Sequence, residues 1–231
     1  MASEFSVKYA LAALQNPGYY AENDSEIGNR ASEPFEDIDQ EAGLEFYQRN
    51  FLSDNRISDV LESCFGQCKL VAYRIFTPEP TRIFQFRRGG EEADCILVAL
   101  LWPPESEVIY YSNSLKHKLL AVDSDNGLLR VPQAAANQAG CGEGIRISLK
   151  QGGLTIQDGR TLVTFARGKP IAATFASNEF LKKWRWNKRV LATTEEMERK
   201  LKASENERFG LYVDFARAAT SAADPTITNP Q

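Results

Sequence analysis

Histidine is nearly absent from this chain: there is one, His117, in 231 residues. Any metal site or catalytic relay that needs two imidazoles is therefore excluded by counting, and a Ser-His-Asp arrangement could use only His117. Cysteine is scarce as well. Cys64 and Cys68 make a close pair, but Cys95 and Cys141 do not form a second one and no histidine lies beside any of them. That pattern lacks the clustered ligands of structural zinc, so free thiols are expected and no metal. Apolar runs never approach the ~18 residues of a spanning helix, so no membrane segment is expected. The opening MASEFSVKYALAALQ has no basic stretch leading into an uninterrupted apolar one, which makes the cytoplasm the expected location. Excess positive charge is missing too, and a formal net charge of -4 argues against general nucleic-acid binding. Walker loops, Gly-x-Ser-x-Gly elbows and dinucleotide fingerprints are absent.

What the chain does have is alternation. From Gly144 to Ala176, Ile145, Ile147 and Leu149 share one face while Arg146, Ser148 and Lys150 take the other. Leu154 and Ile156 resume the apolar face after Gly152-Gly153. Thr161, Val163 and Phe165 follow Asp158-Gly159, and Ile171, Ala173 and Phe175 follow Gly168 and Pro170. Asp158-Gly159 is a strong hairpin signal because both residues tolerate positive φ. Four strands in so short a span predict an antiparallel meander, since parallel crossovers need roughly a dozen residues each.

Around this stretch the pattern is helical before and after. Ser6 to Leu14 fits a short helix stopped by Asn16-Pro17-Gly18. The acidic, aliphatic-poor run from Tyr19 to Gln40 predicts a surface loop or arm, able to lie across a pocket mouth. Glu41 to Leu52 and Asp54 to Phe65 carry apolar stripes, with Asp54 as N-cap and Gly66 as the stop. Strands are expected at Lys69 to Phe76, Arg82 to Arg88, Asp94 to Trp102, Glu107 to Ser112 and Gly127 to Val131. The unbroken apolar run Cys95 to Leu101 predicts a central strand covered on both faces. Gln133 to Ala139 fits one or two helical turns. Beyond Ala176, Phe180, Leu181 and Trp184 make a stripe, and Thr193 with Glu196, like Ser204 with Glu207, has the spacing of a capping box. The tail from Thr220 predicts disorder. These elements predict a single α+β domain: an N-terminal arm and helices over 1–67, a β-barrel core over 68–176, C-terminal helices over 177–219 and a tail over 220–231. The architecture expected is an antiparallel β-barrel or jelly roll wrapped by N- and C-terminal helices.

Two segments carry a family resemblance. Val108-Ile109-Tyr110-Tyr111-Ser112-Asn113-Ser114-Leu115-Lys116-His117 is similar to the small-residue segment ending in Ser-His of the phytanoyl-CoA dioxygenase-like proteins, a double-stranded β-helix group. Gly152-Gly153-Leu154-Thr155-Ile156 is similar to that family's Gly-Asp-hydrophobic strand. The resemblance covers about Leu70 to Ala176. It implies a site in which two histidines and a carboxylate hold Fe(II), leaving positions for 2-oxoglutarate and oxygen. The chain departs from this: no His-x-Asp or His-x-Glu occurs, and no histidine follows Asp158-Gly159-Arg160, where the second ligand would stand.

Candidate site residues come next, each with a plainer alternative. His117 lies between Lys116 and Lys118, whose charges favour a neutral base near pH 7, although a lone loop histidine is more often a surface residue. Tyr110 and Tyr111 point to opposite strand faces, so one faces the core, where it can hold a ligand or satisfy a backbone group. Asp94 precedes the apolar strand. Arg74, Arg82, Gln85 and Trp102 are the substrate-binding candidates, since an inward arginine is expensive without an anionic partner. The segment Lys182 to Arg189 is basic and aromatic, yet a solvated helix face explains it. Hairpin chemistry alone explains Asp158.

The function expected on these grounds is a metal-independent small-molecule cyclase, isomerase or lyase for an apolar substrate of the secondary-metabolite kind, working without cofactor through His117, Tyr110, Tyr111 and Asp94. The alternatives are a non-catalytic ligand-binding or interaction protein and a divergent Fe(II)/2-oxoglutarate oxygenase. A homodimer through an exposed strand edge is a further expectation.

Overall fold

The computed structural model describes residues 5–89, 96–184 and 187–216. The chain opens with α1 (Val7–Gln15), β1 (Tyr19–Asn23) and α2 (Ser25–Arg30). After these, α3 (Glu41–Tyr47) runs through a π-turn at Gln48–Leu52 toward α4 (Asn55–Phe65). Then come β2 (Cys68–Ile75), β3 (Ile83–Gln85), β4 (Ile96–Trp102), β5 (Ser106–Tyr111), β6 (Val122–Asp123), β7 (Leu129–Val131), α5 (Gln133–Gln138) and β8 (Ile145–Leu149). The last part holds β9 (Gly153–Asp158), β10 (Leu162–Arg167), β11 (Ile171–Ser177), α6 (Asn178–Trp184), β12 (Arg189–Leu191), α7 (Glu195–Ala203), β13 (Phe209–Leu211) and β14 (Val213–Phe215). The Asp54 carboxylate caps α4 by accepting from Arg56 N–H, and Gly66 at φ 65° ends it, both as the sequence predicts.

Two six-stranded sheets face each other. The first has the order β1-β9-β4-β11-β2-β13 and the second β6-β7-β3-β10-β5-β8. From β2 to β5 and again from β8 to β11 the chain crosses between sheets at every step. This is the double-stranded β-helix form of a jelly roll, as expected, though the two sheets do not close into a barrel.

The Gly144 to Ala176 meander needs correction. All four strands form, but no two of them pair: β8 pairs with β5, β9 with β1 and β4, β10 with β3 and β5, and β11 with β2 and β4. Each turn carries the chain to the opposite sheet. At Asp158-Gly159, Gly159 N–H donates to Ile96 and the Asp158 carboxylate takes the Arg160 N–H, which makes a capped corner instead of a hairpin.

The arm also needs correction. Tyr19 to Asn23 is an antiparallel edge strand on β9, and Tyr19 and Tyr20 are buried. At the other end, Phe209 to Phe215 is extended. β13 adds in parallel to Cys68–Leu70, and β14 pairs with β12. Ser204 closes α7 instead of starting a helix, and Thr194, one residue past the expected Thr193, caps its start by accepting from Met197 N–H.

Three apolar layers result. Helices α1, α3 and α4 cover the outer face of the first sheet, burying Leu97, Ala99, Leu101, Leu154, Ile156 and Phe175 against residues such as Phe51, Ile57 and Leu61. A second layer fills the space between the sheets. The excursion from β5 to β8 folds over the outer face of the second sheet, where Leu119, Ala136 and Cys141 meet Ile83, Tyr111 and Leu162. Among the described residues no helix is long and apolar enough to cross a membrane.

Candidate interior site

Because Leu154 and Ile156 of β9 belong to the helix-side layer, Thr155 and Gln157 between them point toward the second sheet. Val98, Leu100 and Trp102 of β4, Val108 and Tyr110 of β5, Phe84 of β3, and Val163 and Phe165 of β10 share that interior. Aromatic rings occupy much of it. Phe165 stacks on Phe76 at 4.9 Å between centroids and lies 6.2 Å from Phe84 and 6.1 Å from Trp102. Tyr19 stacks on Tyr110 at 4.1 Å, so the first strand supplies one wall of the interior.

One hydroxyl ties the two sheets together. Thr155 Oγ1 accepts from Trp102 Nε1 at 2.9 Å and from Tyr110 Oη at 2.9 Å, and all three residues are fully buried. Burial pushes the Tyr110 phenol well above its ordinary range, outweighing the opposite effect of the Thr155 hydrogen bond. Tyr110 is thus a fixed donor and not a base. Gln157 has a different problem: both atoms of its carboxamide are buried with no partner among the described residues.

Of the candidates read from the sequence, Tyr110 and Trp102 are brought together, on Thr155. Tyr111 faces the other way, its hydroxyl 3.4 Å from Thr164 Oγ1. His117 closes the 3-10 turn Ser114–Lys116 beyond β5, with its carbonyl against Gly89. Gln85 is fully buried beside Ile83 on the covered outer face, and its carboxamide is as unpartnered as that of Gln157. Arg82 is exposed and paired with Glu79 at 2.7 Å. Arg74 sits at the edge of the first sheet. Asp94 lies outside the described residues. The Asp158 carboxylate is occupied by the Arg160 guanidinium at 2.9 and 2.8 Å, in keeping with a structural role.

Thr155 and Gln157 were missed by the sequence reading. Their only signal is a pair of polar residues on one face of a strand whose other face is Leu and Ile. That pattern ordinarily means a solvent-facing side.

The buried thiol and phenols give the fold a pH limit. Burial, with a smaller contribution from Cys64, pushes the Cys68 thiol up to about 12, and burial also raises Tyr47, Tyr73 and Tyr110. Acids whose folded values exceed their unfolded values, roughly 8.5 for thiol and 10 for phenol, hold full stability below those values and lose it as pH rises through the folded ones. Circular dichroism is expected to show unfolding that sets in above about pH 9. Cys68 in the folded chain is expected to resist iodoacetamide at neutral pH and to react once denatured.

No family model matches the sequence, and no curated protein matches it either. Solved structures do resemble the fold. HygX from Streptomyces hygroscopicus with iron bound superposes with a TM-score of 0.53 at 12% identity, covering 91% of this chain and 97% of that one. HygX with nickel, 2-oxoglutarate and hygromycin B gives 0.51 at 11% identity, covering 93% and 97%. The likeness supports the double-stranded β-helix fold and does not single out the phytanoyl-CoA dioxygenase-like group.

The iron that such neighbours hold does not fit the residues described here. Where the resemblance implies a second histidine, Thr161 is fully buried with its hydroxyl donating to the Gly18 carbonyl at 3.0 Å. Leu162 next to it faces the outer layer, and Val163 is registered opposite Phe84 in the interior. The positions that these adjoining strands β3 and β10 turn inward are Phe84, Val163 and Phe165, none able to ligate a metal. Among the described residues no group of three or more His, Cys, Asp or Glu could hold a metal ion.

Proposed function

We propose that this chain is a non-catalytic binding or interaction protein built on the double-stranded β-helix. The observation that carries this reading is the inward face of β3 and β10, where Phe84, Val163 and Phe165 offer no metal ligand and aromatic rings pack around them. The measurement that tests it is metal content and turnover. The purified chain, incubated with Fe(II) and 2-oxoglutarate, is expected to retain no stoichiometric iron and to consume no 2-oxoglutarate.

A second reading has one observation in its favour. HygX was solved with iron and with 2-oxoglutarate. Among catalytic readings this favours a divergent Fe(II)/2-oxoglutarate oxygenase over the metal-independent cyclase, isomerase or lyase, which gains nothing from these neighbours. Stoichiometric iron together with 2-oxoglutarate consumption in the same assay would overturn the binding-protein reading and establish the oxygenase.

A further inference from the structure

We infer that the open edge of β2 is a docking groove for one extended peptide segment of another protein, bound as an added strand with an acidic side chain against Arg74. Strand β13 covers only Cys68–Leu70 of β2, and Tyr212 N–H closes that contact on the Leu70 carbonyl. Past this point the edge has no neighbouring strand among the described residues. Arg74 is registered opposite Ala172 of β11, and Phe76 N–H donates to the Pro170 carbonyl, so alternate peptide groups at Arg74 and Phe76 face β11. Those of Tyr73 and Ile75 therefore face outward, the arrangement a strand-adding ligand completes.

A groove of about 560 Å³ runs along this edge. Every residue from Val71 to Thr77 lines it, which places the groove beside the strand and not over one of its faces. Asp125 and Asn126 of the β6–β7 turn wall one side, Asp37, Asn187 and Arg189 the other. The recessed edge distinguishes an isolated strand from a second copy of this chain, since a second copy would carry its own walls into the first. Seven residues at about 3.3 Å each accommodate a segment of roughly six.

The lining carries Asp37, Asp125, Arg74 and Arg189, and the charge of the occupant follows from which arginine is already paired to a carboxylate. Arg189 is neutralised by Asp37 through both of its terminal nitrogens. Arg74 among the described residues hydrogen-bonds only a carbonyl, that of Asn126 at 2.9 Å, while its guanidinium lies over Phe76 at 6.0 Å. Gly127, at φ 74°, leaves room for it: a Cβ at that position would come within 2.6 Å of Arg74 Nη1. An oriented guanidinium without a carboxylate is a fork prepared for one. The groove shares Phe76 with the interior between the sheets, but an added strand would use the outward edge of β2, so the inference holds whether or not that interior turns over a substrate.

The test uses a pool of capped hexapeptides, randomised at alternate positions around a fixed central glutamate and selected on the immobilised full chain. Enrichment of extended sequences is expected. Binding of the enriched peptides should fall at least tenfold with Arg74→Met and vanish with Ile75→Pro. The proline removes an outward N–H at an unpaired edge, where proline is tolerated, and circular dichroism checks that the fold survives. Failure to enrich any sequence over the Ile75→Pro chain would overturn the inference. So would a native dimer in sedimentation that Ile75→Pro abolishes, because the edge would then serve a second copy.

Discussion

The Thr155→Val chain is expected to lose about 2–6 kcal/mol of stability, since each of two buried donors left unpaired costs about 1–3 kcal/mol. Valine keeps the shape of threonine, so packing changes little and the loss reports the hydrogen bonds. Trp102 Nε1 and Tyr110 Oη both aim at the hydroxyl from within a layer of aromatic rings, and both residues are fully buried. For a chain of this length the melting temperature should fall by roughly 5–20 °C. A double-mutant cycle separates the two donors. On a Tyr110→Phe background only the tryptophan is stranded, so Thr155→Val should cost about half as much. An equal cost in both backgrounds would show that Tyr110 does not depend on Thr155, and a cost below about 1 kcal/mol in the native background would show that neither donor does. Because one partner comes from each sheet, this hydroxyl also fixes how the sheets are placed against one another.

Strands were legible in the sequence where they were long and alternating, but their partners were not. The alternation in Gly144 to Ala176 gives β8 to β11 and their turns almost to the residue. It is silent on pairing, because a two-residue corner such as Asp158-Gly159 suits a hairpin and a sheet crossing alike. β9 shows why. Both of its faces are buried, one by helices and one by the other sheet, so Thr155 and Gln157 look like a solvent-facing row and are in fact interior. Short strands failed differently: β12, β13 and β14 have three residues each, too few for a period; β13 forms because β2 offers an edge, and β12 and β14 form by pairing with each other. The acidic run after Tyr19 was read as an arm because edge strands carry charge, here Glu22, whose carboxylate takes the Tyr20 hydroxyl at 2.7 Å. At the site, counting histidines rules out the two-imidazole ligand set that the resemblance implies. It could not foresee that β3 and β10 turn Phe84, Val163 and Phe165 into the interior, since that needs the register of β3 on β10.

Replacing Gly28 by alanine is the second large effect, and its sign opposes helix propensity. Gly28 lies within α2, where alanine should stabilise an isolated helix by about 1 kcal/mol. Here the helix presses its backbone onto the corner between β8 and β9. A Cβ on Gly28 would stand 2.0 Å from the Gln151 carbonyl oxygen and 3.0 Å from Gly152 Cα. The packing is reciprocal: a Cβ placed on Gly152 would lie 2.3 Å from Gly28 Cα and 2.6 Å from the Trp102 carbonyl oxygen. Both obstacles are backbone, so no rotamer change relieves the clash, and overpacking costs of about 1–3 kcal/mol or more apply. The helix must lift, and it takes with it the cluster in which Arg56 of α4 bridges Asp24 at 2.8 Å and Asp54 at 2.7 Å. The expected net loss is at least about 2 kcal/mol, read as a lower urea midpoint with unchanged slope. Hydrogen exchange should quicken first in β1, which hangs between α2 and β9 and carries Tyr19 into the interior. A Gly28→Ala chain as stable as the native one would mean that α2 does not bear on the sheet as closely as these distances require.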